Sequence, residues 1–316
     1  MLYKWPLIGH EKQVEKLESD LKNDNLAHAY IFVGPEKVGK FLVAKTLAHI
    51  LQCNDNYCRV CPTCKQIAKG AHLDTTEMRD DGTSIKIEPV REIITSLNMS
   101  AQSNYKIVLL DNIGRMTPDA ANCFLKTLEE PPKKTLFLMT AGNLRELLPT
   151  IISRCRVMKF PAISEKALKK KMQDMREALQ IESTEDMLER AVMLSLGRPG
   201  KAIELLREPE AMMGYLKLYN DIRALFRDKD LTKRFMYVQD LTAKDSDPRD
   251  LEAFFEIFLH VVRSFVNADN TEEYPEIIRF SKEDFLNLIN KIEETRYLMG
   301  RNVNAKLALE NLMLSF

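Results

Sequence analysis

AYIFVGPEKVGKFLVAKTLAHILQ, residues 29–52, decides the fold. AYIFV (29–33) has the length and composition of a buried strand, GPEKVGK (34–40) is a glycine loop, and KFLVAKTLAHILQ (40–52) carries apolar residues at helical spacing. Strand, loop and helix in that order are the context a phosphate-binding loop needs. Backbone N–H groups and the helix N-terminus surround a phosphate, and a lysine adds charge. Gly34, Gly39 and Lys40 are therefore candidate nucleotide-binding residues. The plainer alternative is a strand, turn and helix with convenient glycines.

Outward from this stretch, short β-rich runs alternate with helical ones as far as residue 160, the pattern of a parallel α/β sheet. The expected strands after the first are SIKI (84–87), KIVLLD (106–111), TLFLMT (135–140) and RVMKF (156–160). EPVREIITSLNMS (88–100) is an expected helix. In TPDAANCFLKTLEEPP (117–132), Thr117 suits a cap, Pro118 a first helical position, and Pro131-Pro132 forces a stop. After Pro161 strand-like runs disappear. SEKALKKKMQDMREALQ (164–180), TEDMLERAVMLSLG (184–197) and KAIELLRE (201–208) form a small helical unit punctuated by GRPG. From Pro209 come four or five further amphipathic helices, among them 250–266 and 304–316; only 268–276 has the composition of a long loop. The expected division is 1–161, an α/β domain; 162–208, a helical lid; and 209–316, an all-α C-terminal domain.

Between the first helix and the next strand lie Cys53, Cys58, Cys61 and Cys64, spaced C-x4-C-x2-C-x2-C. In a chain that starts without a signal-peptide pattern, such a cluster points to thiolates around Zn²⁺ rather than to disulfides. Four thiolate ligands close the coordination sphere, so the expected site is structural. Pro62 and the polar NDNY stretch favour a loop folded around the metal over a single helix face. A redox dithiol lacks its strand-to-helix context here. Cys123 and Cys155 stand apart and suit small buried positions.

Around the loop, the pattern departs from a working nucleotide hydrolase. Phe41 follows Lys40, where Ser or Thr would hold Mg²⁺ by its hydroxyl. KIVLLDN supplies Asp111 but then Asn112, and an amide cannot replace the carboxylate that positions water. Arg154, in SRC, follows an apolar helical turn and precedes a strand. A lone loop arginine is usually a solvated charge, yet from this platform a guanidinium could reach a neighbouring subunit's phosphate.

Composition sets the outer bounds. The 316 residues are 45% hydrophobic and 29% charged, with 46 basic and 46 acidic side chains. No global field draws the chain to nucleic acid or an anionic membrane. Lys169-Lys170-Lys171 is a solvated helix face or, less simply, a DNA contact. No apolar run approaches the ~18 residues of a membrane span, and a cytoplasmic protein is expected.

Four segments carry a resemblance: IGHEKQVEKLESDLKNDNLAHAYIFVGPEKVGK, the four-cysteine insert, NYKIVLLDNIGRMTPDAANCFLKTLEEPPKKTLFLMT, and TIISRC. Together they resemble the clamp-loader subunits of bacterial DNA polymerase III, members of the AAA+ class, and VNAKLALENLML resembles that family's last helix. The resemblance implies an AAA+ domain with a zinc insert, a lid and a helical collar. It implies work in DNA replication as part of a hetero-oligomer with gamma/tau and delta subunits, which loads the sliding clamp onto primer-template DNA. Arg154 would then be an arginine finger acting in trans, and Gly34, Gly39, Lys40 and Asp111 the remains of an ATP or ADP site. Phe41, Asn112 and, if GRPGKA aligns with the motor's lid motif, Gly200 in place of a sensor arginine point to the delta prime branch rather than the gamma/tau motor. Two alternatives stand beside this reading: a gamma/tau-type ATPase, and a zinc-bearing DNA-binding module without nucleotide function.

Overall fold

The computed structural model describes residues 3–55, 57–179, 181, 183–228, 230–243, 248–267, 280–299 and 303–316; the expected loop at 268–276 lies outside them. The elements run α1 (Glu11–Lys22), β1 (Ala29–Val33), α2 (Lys40–Gln52), α3 (Pro62–Ala68), β2 (Thr75–Met78), α4 (Ile87–Leu97), β3 (Lys106–Leu110), α5 (Pro118–Glu129), β4 (Thr135–Ala141), α6 (Pro149–Ile152), β5 (Arg156–Lys159), α7 (Glu165–Asp174) and α8 (Arg176–Leu179). There follow α9 (Glu185–Leu194), α10 (Pro199–Arg207), α11 (Pro209–Arg227), α12 (Leu231–Leu241), α13 (Pro248–Asn267), α14 (Lys282–Met299) and α15 (Ala305–Met313). The chain divides into two compact units, 1–184 with 195–204, and 185–194 with 205–316. The segment 162–208 is thus shared between them.

In the first unit, five parallel strands lie in the order β2-β3-β4-β1-β5. Every residue of β1, β3 and β4 is buried, because helices cover both faces of the sheet. The two-residue period sorts them. Ala29, Ile31, Val108, Leu110, Phe137 and Met139 pack towards α4, α5 and α6. Tyr30, Phe32, Ile107, Leu109, Leu136 and Leu138 pack towards α1 and α2. Thr117 caps α5, its side chain accepting from the Ala120 N–H at 3.3 Å, with Pro118 opening the helix.

One expected strand is displaced. SIKI contributes only an isolated bridge from Ile85 to Met116, and α4 already begins at Ile87. The fifth strand is TTEM (75–78) at the sheet edge, where only Thr75 is fully buried. An edge strand of mixed polarity leaves little hydrophobic signal.

Among its described residues, every regular element of the second unit is a helix. Its core is aromatic: the Phe226 ring meets Phe265 edge-on at 5.0 Å and Phe316 at 4.6 Å. Arg234, 3% exposed, donates to the carbonyls of Leu225 and Met313, both at 3.0 Å, and lies over the Phe316 ring at 4.2 Å. A buried guanidinium is tolerated because backbone carbonyls accept from both its terminal nitrogens. No helix among the described residues is long and apolar enough to cross a membrane.

Candidate nucleotide cleft and metal centre

β1 delivers the chain into the glycine loop at the C-terminal edge of the sheet, the place where parallel α/β folds hold ligands. Gly34 is required by contact: a Cβ there would lie 2.0 Å from the Phe160 carbonyl oxygen. Gly39 is required by conformation, with φ of 104° at the N-cap of α2. A cleft of about 460 Å³ opens beside the loop, with Lys40, Phe41, Asp80, Asp111, Asn112 and Arg115 in its walls. Of the sequence-derived nucleotide residues, Gly39, Lys40 and Asp111 line this one space, whereas Gly34 packs against the Phe160 backbone and is not part of its wall.

Their contacts are those of a closed network. Lys40, 8% exposed, donates its ammonium protons to the carbonyls of Gly34 and, at 2.8 Å, Pro35. Burial pulls its pKa below the usual lysine value, while the carboxylates of Glu36, Asp111 and Glu146 oppose that shift. The lysine that would meet a phosphate thus already has backbone acceptors and carboxylate neighbours. Asp111 accepts from the Thr140 hydroxyl at 2.6 Å. Asn112, in the left-handed region at φ 52°, donates its side-chain N–H to Asp80 at 2.6 Å. Arg115 donates to the same Asp80 oxygen at 3.0 Å and to the Gly82 carbonyl at 2.8 Å. Phe41 carries the Arg79 guanidinium 3.8 Å above its ring.

From the other side, the N-terminus of α10 touches the loop. The Gly200 N–H donates to the Lys37 carbonyl at 2.8 Å, and Lys37 also pairs with Glu204. A Cβ at Gly200 would stand 2.8 Å from that carbonyl oxygen, so only glycine fits without a shift.

Sequence reasoning missed Glu146, Asp80, Arg115 and Arg79. Glu146 is the least expected. Its carboxylate lies against Gly114, where a Cβ would approach to 2.6 Å, in a stretch without motif or periodicity.

Arg154 stands apart from the cleft, immediately after α6. One guanidinium nitrogen donates to the Thr150 carbonyl at 2.8 Å and the other to Glu129. Its neighbour Cys155 packs against the sheet core, and burial pushes that thiol up to about 12. Lys171, in the basic run on α7, pairs with Glu11.

The four cysteines converge, with all Sγ atoms within 4.8 Å of one another. Cys53 lies 3.8 Å from Cys58 and 3.9 Å from Cys61. Zinc–thiolate bonds of ~2.3 Å make a tetrahedron with edges of about 3.8 Å, so the donor set fits Zn²⁺. Pro62 begins α3 rather than breaking a helix. Cys61 caps α3, its sulfur accepting from the Cys64 N–H at 3.3 Å, and the Cys58 sulfur accepts from the Cys61 N–H at 3.3 Å. Such N–H groups aim at sulfurs carrying negative charge. Without a cation, burial pushes the Cys64 thiol up to about 12. Burial also raises Cys53, but backbone N–H groups outweigh it and bring that thiol down to about 7. Four thiolates at this spacing need a metal to coexist. Cys53, Cys58, Cys61 and Cys64 would hold it, and the metal would supply structural closure of the loop between α2 and β2. Tyr57 stacks on His49 at 5.0 Å and under Arg59 at 4.6 Å, and Arg59 donates to the Lys4 carbonyl at 2.9 Å, pinning the module to the domain.

Residues 9–164 match the family model described as DNA polymerase III, delta subunit. DNA polymerase III subunit gamma of Buchnera aphidicola is 28% identical over 306 residues, 91% of this chain and 84% of that one. Subunit delta' of Bacillus subtilis is 26% identical over 315 residues, 94% and 93% of the two chains. The tau subunit of B. subtilis is 29% identical over 213 residues, which is 66% of this chain but only 38% of tau. Near end-to-end similarity to two kinds of loader subunit agrees with the phosphate loop, the parallel sheet and the four-cysteine insert, and the chain is homologous to the clamp-loader subunits of DNA polymerase III.

Proposed function

We propose that this chain is a delta prime-type clamp-loader subunit: a member of the ring that hydrolyses no ATP itself and completes a neighbour's site with Arg154. The observation that carries the reading is Phe41. It occupies the sequence position after Lys40, where a Ser or Thr hydroxyl would ligate Mg²⁺, and its ring carries the Arg79 guanidinium. Asn112 and Gly200 act in the same direction, one lacking a carboxylate and the other a guanidinium. In this reading residues 1–161 form the AAA+ domain with its structural zinc, 162–208 the lid, and 209–316 the collar that joins gamma/tau and delta subunits. The assembly would load the sliding clamp onto primer-template DNA in the cytoplasm.

The test has two arms. The purified chain should show no ATP turnover above background. Arg154→Ala should leave assembly intact while lowering DNA-stimulated hydrolysis by the reconstituted loader. A finger contributes ~10³ to 10⁵ at the site it completes, and the whole ring will show less because other sites still fire. Lysine should substitute poorly, since a point charge cannot reproduce the planar fork. Unchanged hydrolysis and clamp loading in an assembled Arg154→Ala complex would remove the trans-acting role. A second reading, a gamma/tau-type ATPase, is favoured by the retained Gly34, Gly39, Lys40 and Asp111 and by the similarity to gamma. Turnover by the isolated chain that Lys40→Ala abolishes would select it.

A further inference from the structure

The Arg154 guanidinium spends its two terminal nitrogens differently. One is fixed to the backbone of α6 through the Thr150 carbonyl at 2.8 Å, with the Ser153 hydroxyl at 3.3 Å. The other goes to the carboxylate of Glu129, the last residue of α5. Both partners of that ion pair face solvent, with side chains 32% and 49% exposed. Two residues further on, Arg156 shows what a permanent pair looks like in this fold. Its partner Asp20 is only 2% exposed, lies at 2.6 Å, and also accepts from the Tyr30 hydroxyl at 3.3 Å. Asp20 is built into the core and Glu129 is not.

Glu129 is also misplaced for the helix that carries it. The C-terminus of α5 is the negative end of its dipole, where carboxylates are disfavoured. Yet Glu129 and Glu130 both sit there, before the stop at Pro131-Pro132. The helix dipole gives no reason for acids at this point, whereas a surface arginine in need of a provisional counter-ion does.

We infer that Glu129 is a clasp: it holds the Arg154 fork at the surface until the terminal phosphate of a neighbour's nucleotide displaces the carboxylate, while the Thr150 anchor keeps the fork aimed. The inference rests on the trans-acting reading of Arg154 given above. A polyanionic phosphate outcompetes one carboxylate for a bidentate fork. An exposed pair is weak enough to be exchanged rather than broken at great cost. Glu129 is a positioning residue here, acting only through Arg154.

The isolated chain tests the clasp directly. In Glu129→Gln, modification of Arg154 by phenylglyoxal, followed by peptide mass spectrometry against Arg190 as reference, should be faster by about 1.4- to 5-fold, the range of an exposed ion pair. The difference should vanish at high salt. In the reconstituted loader, Glu129→Gln should tighten ATPγS binding at the neighbouring site by a similar factor. In the Arg154→Ala background the same substitution should change nothing. Equal labelling rates in wild type and Glu129→Gln overturn the clasp. So does weaker ATPγS binding in Glu129→Gln, or an effect that persists without Arg154. If Glu129→Gln speeds labelling but Arg154→Ala leaves the loader's ATPγS affinity and hydrolysis untouched, the trans-acting reading is what fails, and the phosphate-exchange proposal falls with it.

Discussion

Gly34→Ala separates two explanations of the loop glycine, nucleotide contact and backbone contact. The Gly34 φ lies outside the left-handed region, so alanine meets no conformational strain, only an obstacle. Its Cβ would stand 2.0 Å from the Phe160 carbonyl oxygen and 2.9 Å from the carbonyl carbon, against an ordinary contact of 3.4 Å or more. The carbonyl must retreat by over an ångström. It is not free to do so, because the Phe160 N–H donates to the Val33 carbonyl at 2.7 Å. The Phe160 ring is fully buried, 5.5 Å from Phe32 and 5.0 Å from His10. Loss of the hydrogen bond costs about 1 kcal/mol. Partial unpacking of the ring forfeits part of the ~3–5 kcal/mol that deleting a buried phenylalanine costs. The expected destabilisation is about 3 kcal/mol, or about 6–12 °C in the melting of a unit this size. The single tryptophan gives the assay: Trp5 is buried in the same core and donates to Glu18 at 3.0 Å, so its fluorescence follows the first unit alone. The loss should be the same with and without ATP. A midpoint within about 2 °C of wild type would refute the contact argument, and a loss seen only with ATP present would return Gly34 to a nucleotide role.

Purified under reducing, chelator-free conditions, the chain should carry one zinc, and Cys58→Ser with Cys61→Ser should abolish it; metal analysis decides, and a folded metal-free preparation would refute the site. Lys40→Ala should leave ATP turnover at background and change ATP affinity little, since the ammonium is already held by two carbonyls; isothermal titration measures this, and a large loss of affinity would contradict it. Burial lowers His260 to about 4, so the unfolded chain binds the extra proton between the usual histidine value and that point. The stability of the second unit should therefore fall as pH drops from about 6.5 towards 4, and His260→Leu should flatten that slope in urea titrations at pH 7 and 5.

What the sequence disclosed and what it hid follow from the same physics. β1, β3 and β4 were legible because helices cover both faces, which makes them unbroken apolar runs. The capped α5 was legible because Thr117, Pro118 and Pro131 carry local signals. β2 was hidden because an edge strand with one fully buried residue has no apolar run to show. In the candidate site, Gly39 and Lys40 were legible because a phosphate loop demands particular residues at fixed spacing, and Asp111 because it follows an unbroken apolar strand. Asp80 and Arg115 reach the cleft, and Glu146 and Arg79 its wall residues Gly142 and Phe41, by side-chain direction from segments far apart in the chain, and spacing encodes nothing about that. The exchangeable partner of Arg154 was invisible for the same reason, 25 residues away across a proline stop.

The strand order has a consequence for how this molecule comes into being. β1 emerges early from the ribosome, yet both its neighbours are late: Ala29 pairs with Phe137, and Tyr30 with Arg156. For more than a hundred residues of synthesis, AYIFV has two open edges and no partner. Such a segment invites pairing with another chain. Long-range parallel pairing is also slow to form once the partners exist. Nascent chains that stop short of residue 135 should therefore be strong clients of holding chaperones and poor soluble fragments, however well their four-cysteine loop closes. The order that sets the glycine loop's strand between β4 and β5 also makes that strand wait longest for its partners, so the yield of this subunit should depend on protecting it.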